Sequence, residues 1–93
     1  MPPQGRIDCA AARRHLAEIR ANRSSQSPES LSRAARTLGY EIQRSRGKGS
    51  HLFAVKHGAP RFPIPTNRNP VAVGTTTRIL TILEGVLDDV CAG

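Results

Sequence analysis

Apolar residues recur at spacings of three and four in three stretches of the chain, which places them on one face of an α-helix. The first stretch follows Asp8, a residue type that suits the N-cap, and predicts a helix over residues 8 to 22. Because its apolar stripe is narrow, we expect this helix to dock on the rest of the domain or on a partner. The stripe consists of Cys9, Ala12, Leu16 and Ile19.

The second stretch carries start and stop signals for a helix. Ser27 suits the N-cap, Pro28 suits the first helical position, and Gly39 supplies a C-terminal stop. A helix over residues 28 to 38 is therefore predicted. Its apolar positions are Leu31, Ala34, Ala35 and Leu38.

The third stretch has a broad apolar face of the kind that covers a sheet. Gly74 and Thr75 can start this helix, which is predicted over residues 75 to 88. Asp88 and Asp89 lie at the negative end of the helix dipole, so we expect fraying there. The apolar face consists of Ile79, Leu80, Ile82, Leu83, Val86 and Leu87.

Between the second and third helices the apolar period changes to two, which is typical of half-buried strands. One strand begins at Tyr40 and ends at a glycine turn over residues 47 to 49. A second strand is predicted over residues 50 to 56 and a third over residues 61 to 65. The first two strands therefore form a hairpin.

Two prolines indicate where the third strand lies in the sheet. Pro63 and Pro65 remove N–H donors from the same side of the strand, so we predict an edge position. The predicted fold class is α+β, an αβββα order in which a three-stranded antiparallel sheet packs on helices, with an extra N-terminal helix. Residues 1 to 26 would form the tail and extension helix, and residues 27 to 90 the domain.

The glycine turn also decides which face of the sheet His51 occupies, because a slip of one residue moves every side chain to the other face. A loop over residues 47 to 49 pairs Ile42 with Ala54. His51 then shares the open face with Phe53. A slip of one residue pairs Ile42 with Phe53 and turns His51 toward the helices. We prefer the first register because it keeps the imidazole in water.

The charge of the chain points to a polyanionic partner. The formal net charge is +7, and 12 of the 14 cations are arginine, which binds phosphate oxygens in a forked geometry. A solvated basic surface is the alternative reading. An anionic membrane is a weaker third reading, because no segment joins a strongly basic face to a broad apolar face.

The basic residues are densest between Arg44 and His51. This stretch combines three cations with two glycines, a histidine and two serines. Glycine lets a backbone approach phosphate closely, and histidine is the side chain that titrates nearest neutrality. From these residues we expect a protein directed at RNA, with His51 at the centre of its site. The RNA-binding residues predicted around it are Arg44, Arg46, Gly47, Lys48, Gly49 and Ser50.

Cysteine usage and the termini bear on the compartment. Cys9 and Cys91 have no spacing typical of a zinc or redox motif, so we expect free thiols in a reducing compartment. No signal-peptide pattern and no membrane-spanning stretch is found, and a cytoplasmic protein without membrane association is expected. The histidines and acids show no metal-ligand spacing, so neither a metal nor a cofactor is predicted.

Four features in order resemble the HicA toxins of bacterial HicA–HicB toxin–antitoxin pairs. They are Leu38-Gly39-Tyr40 at the end of a helix, the Gly49-Ser50-His51 motif, the Pro63-Ile64-Pro65 strand, and the helix start Gly74-Thr75 with Arg78-Ile79-Leu80. The resemblance covers residues 27 to 87. It implies a fold like that of double-stranded-RNA-binding domains. It also implies a translation-independent mRNA interferase with His51 as its catalytic residue, blocked by a HicB-like antitoxin.

RNA can be cut without metal when a base and an acid assist attack of the 2′-hydroxyl on the adjacent phosphorus. His51 can fill one of these roles, but His57 lies six residues farther along a strand, about 20 Å away. We therefore expect a slow enzyme with one imidazole, in which Lys48, Arg44 or Arg46 stabilises the phosphorane charge. The alternative function is a non-catalytic RNA-binding module of the same fold, and a third is a protein-interaction or DNA-binding domain that uses the first helix.

Overall fold

The computed structural model describes residues 7 to 44 and 51 to 92. This part of the chain is α+β, with three α-helices and a three-stranded antiparallel sheet, and its element order agrees with the predicted one. None of the described helices is both long enough and apolar enough to cross a bilayer. The elements are α1 (Cys9–Ala21), α2 (Pro28–Thr37), β1 (Glu41–Arg44), β2 (His51–Val55), β3 (Phe62–Pro65) and α3 (Val73–Val90).

Helix α1 begins where its cap residue predicts. The Asp8 carboxylate accepts a hydrogen bond from the backbone N–H of Ala11 at 3.0 Å. The narrow stripe of the helix is buried at Ala12, Leu16 and Ile19, and these residues share one hydrophobic cluster with α2 and α3. Docking of the helix on the rest of the fold is thus confirmed.

The prediction of free thiols is wrong. Cys9 and Cys91 form a disulfide, with their Cα atoms 6.0 Å apart and a sequence separation of 82. The bridge joins the first residue of α1 to the residue that follows α3. Packing of α1 along α3 brings these ends together, and spacing along the chain carries no information about such a distant contact.

Helix α2 carries a reciprocal cap at its start. The Ser27 hydroxyl accepts from the Ser30 N–H, and the Ser30 hydroxyl accepts from the Ser27 N–H, both at 3.0 Å. Pro28 occupies the first turn, as predicted. After the helix, Gly39 adopts a left-handed φ of 87°, which a residue with a Cβ adopts only with strain. The chain can then turn directly into β1.

Helix α3 is longer at both ends than predicted. It begins at Val73, and the residue before it, Ala72, makes no side-chain cap hydrogen bond. The start signal at Gly74 therefore lies inside the helix. The fraying expected at Asp88 and Asp89 is wrong, because the helix continues to Val90 with both carboxylates exposed to water.

The sheet has the strand order β1-β2-β3 and the register preferred from the sequence. Ile42 pairs with Ala54 across β1 and β2. On the other side of β2, Leu52 pairs with Ile64. Pro63 is exposed, and β3 forms an edge of the sheet, as its prolines predict.

Alternating burial shows that the helices cover one face of the sheet. Ala54, Phe62 and Ile64 are buried in the common core, whereas Pro63 between the last two is exposed. Tyr40 packs against Phe62 at the border of the core, with ring centroids 5.2 Å apart. Its hydroxyl donates a hydrogen bond to the Pro60 carbonyl at 2.7 Å. On the opposite face of the sheet, called the open face below, Gln43, His51 and Pro63 are exposed, and no described helix covers them.

Candidate functional site

His51 is the first residue of β2, the central strand, and its side chain is exposed. Leu52 and Ala54 pack into or against the core, so the pleat of the strand directs His51 to the open face. Its register partner on β3 is Pro65. The imidazole therefore lies in water at one end of the open face, as the preferred register requires.

Arg44 lies at the same end of the sheet as His51, but its side chain leaves the opposite face. It pairs with Leu52, which packs against the core, and residues directly opposite in an antiparallel sheet share a face. Arg44 itself is exposed. Of the two described residues predicted for the site, only His51 is thus on the open face, and Arg44 is directed to the other side of the sheet.

The remaining predicted site residues lie outside the described residues. They are Arg46, Gly47, Lys48, Gly49 and Ser50. Their roles stay predictions that rest on the sequence, which places two more cations in the connection between Arg44 and His51.

One residue of the open face was missed from the sequence. The guanidinium carbon of Arg61 lies over the ring of Phe53, 5.4 Å from its centroid. Phe53 is half-buried on β2 and pairs with Pro63 of β3. The signal is present in the sequence, because Arg61, Pro63 and Pro65 alternate with the buried residues of the third strand and therefore share the face of Phe53.

No second proton-transfer group stands beside His51 within residues 7 to 44 and 51 to 92. His57 is exposed in the turn that follows β2, at the far end of the strand. Glu41 pairs with Val55 and accepts a hydrogen bond from the Gln43 side chain at 2.9 Å. Four strand residues, about 13 Å, separate the level of Val55 from that of His51, so this carboxylate lies beyond direct contact.

Metal binding has no candidate in the described part of the chain, where no group of three or more histidine, cysteine or acidic side chains is placed to hold an ion. A cavity of about 430 Å³ lies away from His51, between α3 and the turn that precedes β3. It contains none of the predicted site residues. Its lining is Pro60, Thr81, Ile82, Gly85, Val86, Asp88 and Asp89.

The open face thus combines one imidazole with one aromatic ring that carries a cation, next to a basic connection. The imidazole of such a surface can take a proton from a hydroxyl group next to a bound phosphate ester, and the ring can hold a planar group. Comparison of the chain with family models, with curated proteins and with solved structures finds no match.

Proposed function

We propose that this chain is a HicA-like toxin, a metal-independent endoribonuclease that cleaves mRNA in the cytoplasm without need of translation. The observation that carries the proposal is the position of His51, exposed at the start of the central strand and on the open face. The αβββα order and the Gly49-Ser50-His51 motif agree with the resemblance to HicA toxins and with a fold like that of double-stranded-RNA-binding domains.

His51 acts on the ribose and phosphate of the cleaved nucleotide. As a general base it removes the proton of the 2′-hydroxyl, the 2′-oxygen bonds to the adjacent phosphorus, and the bond to the 5′-oxygen breaks. That oxygen takes a proton from solvent. The products are a 2′,3′-cyclic phosphate and a 5′-hydroxyl, and reaction is slow because one base contributes about 100-fold to 10,000-fold.

The basic connection before His51 holds the RNA backbone. Arg46 and Lys48 carry its charge, while Gly47, Gly49 and Ser50 provide close approach and a hydroxyl donor. Arg44 adds a cation at the same end of the sheet, but its side chain leaves the opposite face, so we do not assign it to the phosphate that reacts. A HicB-like antitoxin inhibits the enzyme by covering the open face.

Replacement of His51 tests the proposal. Purified wild type is expected to cut a labelled RNA in the presence of EDTA, and His51→Ala to cut it about 100-fold to 10,000-fold more slowly. His57→Ala is the matched control, because it removes an exposed imidazole at the other end of β2. Mass spectrometry of the products identifies the cyclic phosphate.

Induction of each variant in bacteria, with total mRNA followed over time, gives the cellular readout. A folded His51→Ala protein that degrades RNA as fast as wild type contradicts the assignment. Circular dichroism establishes that the variant is folded.

A non-catalytic RNA-binding module is the second candidate function, favoured by the lack of a second acid or base beside His51 among the described residues. It predicts RNA binding without cleavage, and binding that weakens steeply with salt. Neutralising Arg44, Arg46 and Lys48 together would then lower the salt dependence, whereas His51→Ala would leave affinity unchanged. Binding that does not respond to salt excludes this candidate.

A further inference from the structure

Phe53 differs from the other two aromatic residues of the chain in where it lies. Tyr40 and Phe62 are 4% and 3% exposed and pack in the core. Phe53 is half-buried on the open face, where no described helix covers it. An aromatic ring in this position offers a flat surface on which another planar group can stack.

Arg61 supplies a positive charge at the same point. Its guanidinium carbon is 5.4 Å from the Phe53 ring centroid, which is within the range of a cation–π contact. Among the described residues Arg61 makes no salt bridge, so its charge is not neutralised by a carboxylate. Because Arg61 is exposed and its guanidinium lies over the ring, an incoming planar group stacks on the guanidinium plane or takes its place on the ring. A nucleotide offers a planar base for this contact and an anionic phosphate for the charge.

The distance from this surface to His51 matches the size of a nucleotide. Phe53 follows His51 by two residues on the same strand and face, so their Cα atoms are about 6.6 Å apart. Pro65 and Pro63 stand opposite these two residues and add only short, rigid side chains. A nucleotide whose phosphate lies at the imidazole can therefore place its own or the next base on Phe53.

We propose that Phe53 and Arg61 form a base-stacking subsite that makes single-stranded RNA the substrate, an inference that rests on the proposed function. A base in an A-form duplex has both faces covered by its neighbours, whereas an unpaired base can stack on an aromatic ring or a guanidinium plane. The subsite holds the unpaired base, and the sugar edge of that nucleotide then faces His51. Stacking accepts every base, so the subsite selects for strand state more than for sequence.

Binding of a non-cleavable RNA tests the subsite. The probes are a single strand with 2′-O-methyl sugars that contains 2-aminopurine, and a blunt duplex of the same sequence. Phe53→Leu keeps an apolar side chain without the ring and should weaken single-strand binding about 5-fold to 100-fold, with little change for the duplex. Phe53→Trp should retain tight binding and quench the 2-aminopurine fluorescence.

Val55→Ala is the matched control, since Val55 lies on the same strand and face but farther from His51. Arg61→Gln should weaken single-strand binding and reduce its salt dependence. If Phe53→Leu binds the single strand as tightly as wild type does, the subsite is overturned and the face is assigned to a protein partner.

Two outcomes separate this inference from the proposed function. A wild type that stacks 2-aminopurine through Phe53 but never cleaves unmodified RNA supports the subsite and contradicts the ribonuclease. A wild type that cleaves, while Phe53→Leu cleaves single strand and duplex at wild-type rates, supports the ribonuclease and contradicts the subsite.

Discussion

Burial of the Tyr40 side chain makes the stability of the fold depend on pH in the alkaline range. Burial raises the pKa of its hydroxyl above the ordinary value of 10.0. The folded protein therefore keeps this proton at a pH where the unfolded chain loses it. The protonated Tyr40 hydroxyl thus contributes to the free energy of unfolding, and this contribution is fully present below about pH 10. It is lost as the pH rises through the raised pKa of the folded state.

We expect the free energy of unfolding of wild type to fall above pH 10, and Tyr40→Phe to remove this part of the fall. Near neutral pH the variant should lose about 1 kcal/mol, because the Pro60 carbonyl loses its donor. Urea unfolding from pH 7 to 11 measures both. Tyr40 is the only tyrosine, and the chain has no tryptophan, so ultraviolet absorbance reports this phenol alone. Equal pH dependence in both proteins contradicts the assignment.

Side-chain directions in the sheet are predictable from the sequence, because one register sets them all. The glycine turn predicts the pairing of Ile42 with Ala54, and this pairing places both His51 and Phe53 on the open face. The contact of Arg61 with Phe53 depends on the register of the next strand pair as well. The same register places Arg44 on the other face, which the charge of the residue and its position next to the glycine turn do not reveal.

At the scale of elements, β3 shows how two residues prevent unwanted pairing. An edge strand presents N–H and C=O groups to other chains, and Pro63 and Pro65 remove the outward N–H donors from β3. All four residues of β3 lie in register with β2, and among them only Phe62 and Ile64 have an N–H to donate. The edge is thus unable to form a regular ladder with a second copy of the chain.

Replacing both edge prolines by alanine should restore two outward donors and promote self-association. Light scattering coupled to size-exclusion chromatography would detect a concentration-dependent increase in mass for Pro63→Ala/Pro65→Ala. Pro60→Ala is the control, because Pro60 precedes the strand and is exposed. If the double variant has the same mass as wild type at every concentration, the prolines do not protect this edge.

Helix boundaries are predictable only where a local hydrogen bond sets them. Asp8 and the Ser27–Ser30 pair cap their helices through neighbouring backbone groups, and both starts agree with the prediction within one residue. No such cap precedes Val73, so nothing in the sequence separates it from Gly74 as the start of α3. The last three residues of α3 are exposed, and the residue after it, Cys91, is tied to α1 by the disulfide, a contact that the local sequence does not predict.

At the scale of the whole molecule, α1 is held in three ways. Its buried residues join the common core, and the Arg20 guanidinium donates to the Glu84 carboxylate of α3 at 2.6 and 2.9 Å. The disulfide between Cys9 and Cys91 adds a covalent link at the other end of the helix. The apolar pattern of residues 8 to 22 predicts that α1 packs in the core, but no local feature of the sequence predicts the disulfide.

The disulfide requires an oxidising environment, whereas the proposed function lies in the cytoplasm, which keeps thiols reduced. A bridge with a sequence separation of 82 stabilises a fold by at most about 4 to 5 kcal/mol through the chain entropy of the unfolded state. We expect Cys9→Ser/Cys91→Ser to lose up to this amount and yet to remain folded, because the core holds α1 without the bridge. Urea unfolding of the variant, and of wild type with and without dithiothreitol, measures the loss.

Reduced wild type should have the same free energy of unfolding as the double serine variant. Both should cleave RNA as fast as the oxidised protein, because the bridge lies at the ends of α1 and α3 whereas His51 lies on the open face of the sheet. Equal stability of the oxidised and reduced proteins would show that the bridge adds nothing. A reduced protein that unfolds in buffer could not act in the cytoplasm, and the proposed function would then require an oxidising compartment that holds RNA.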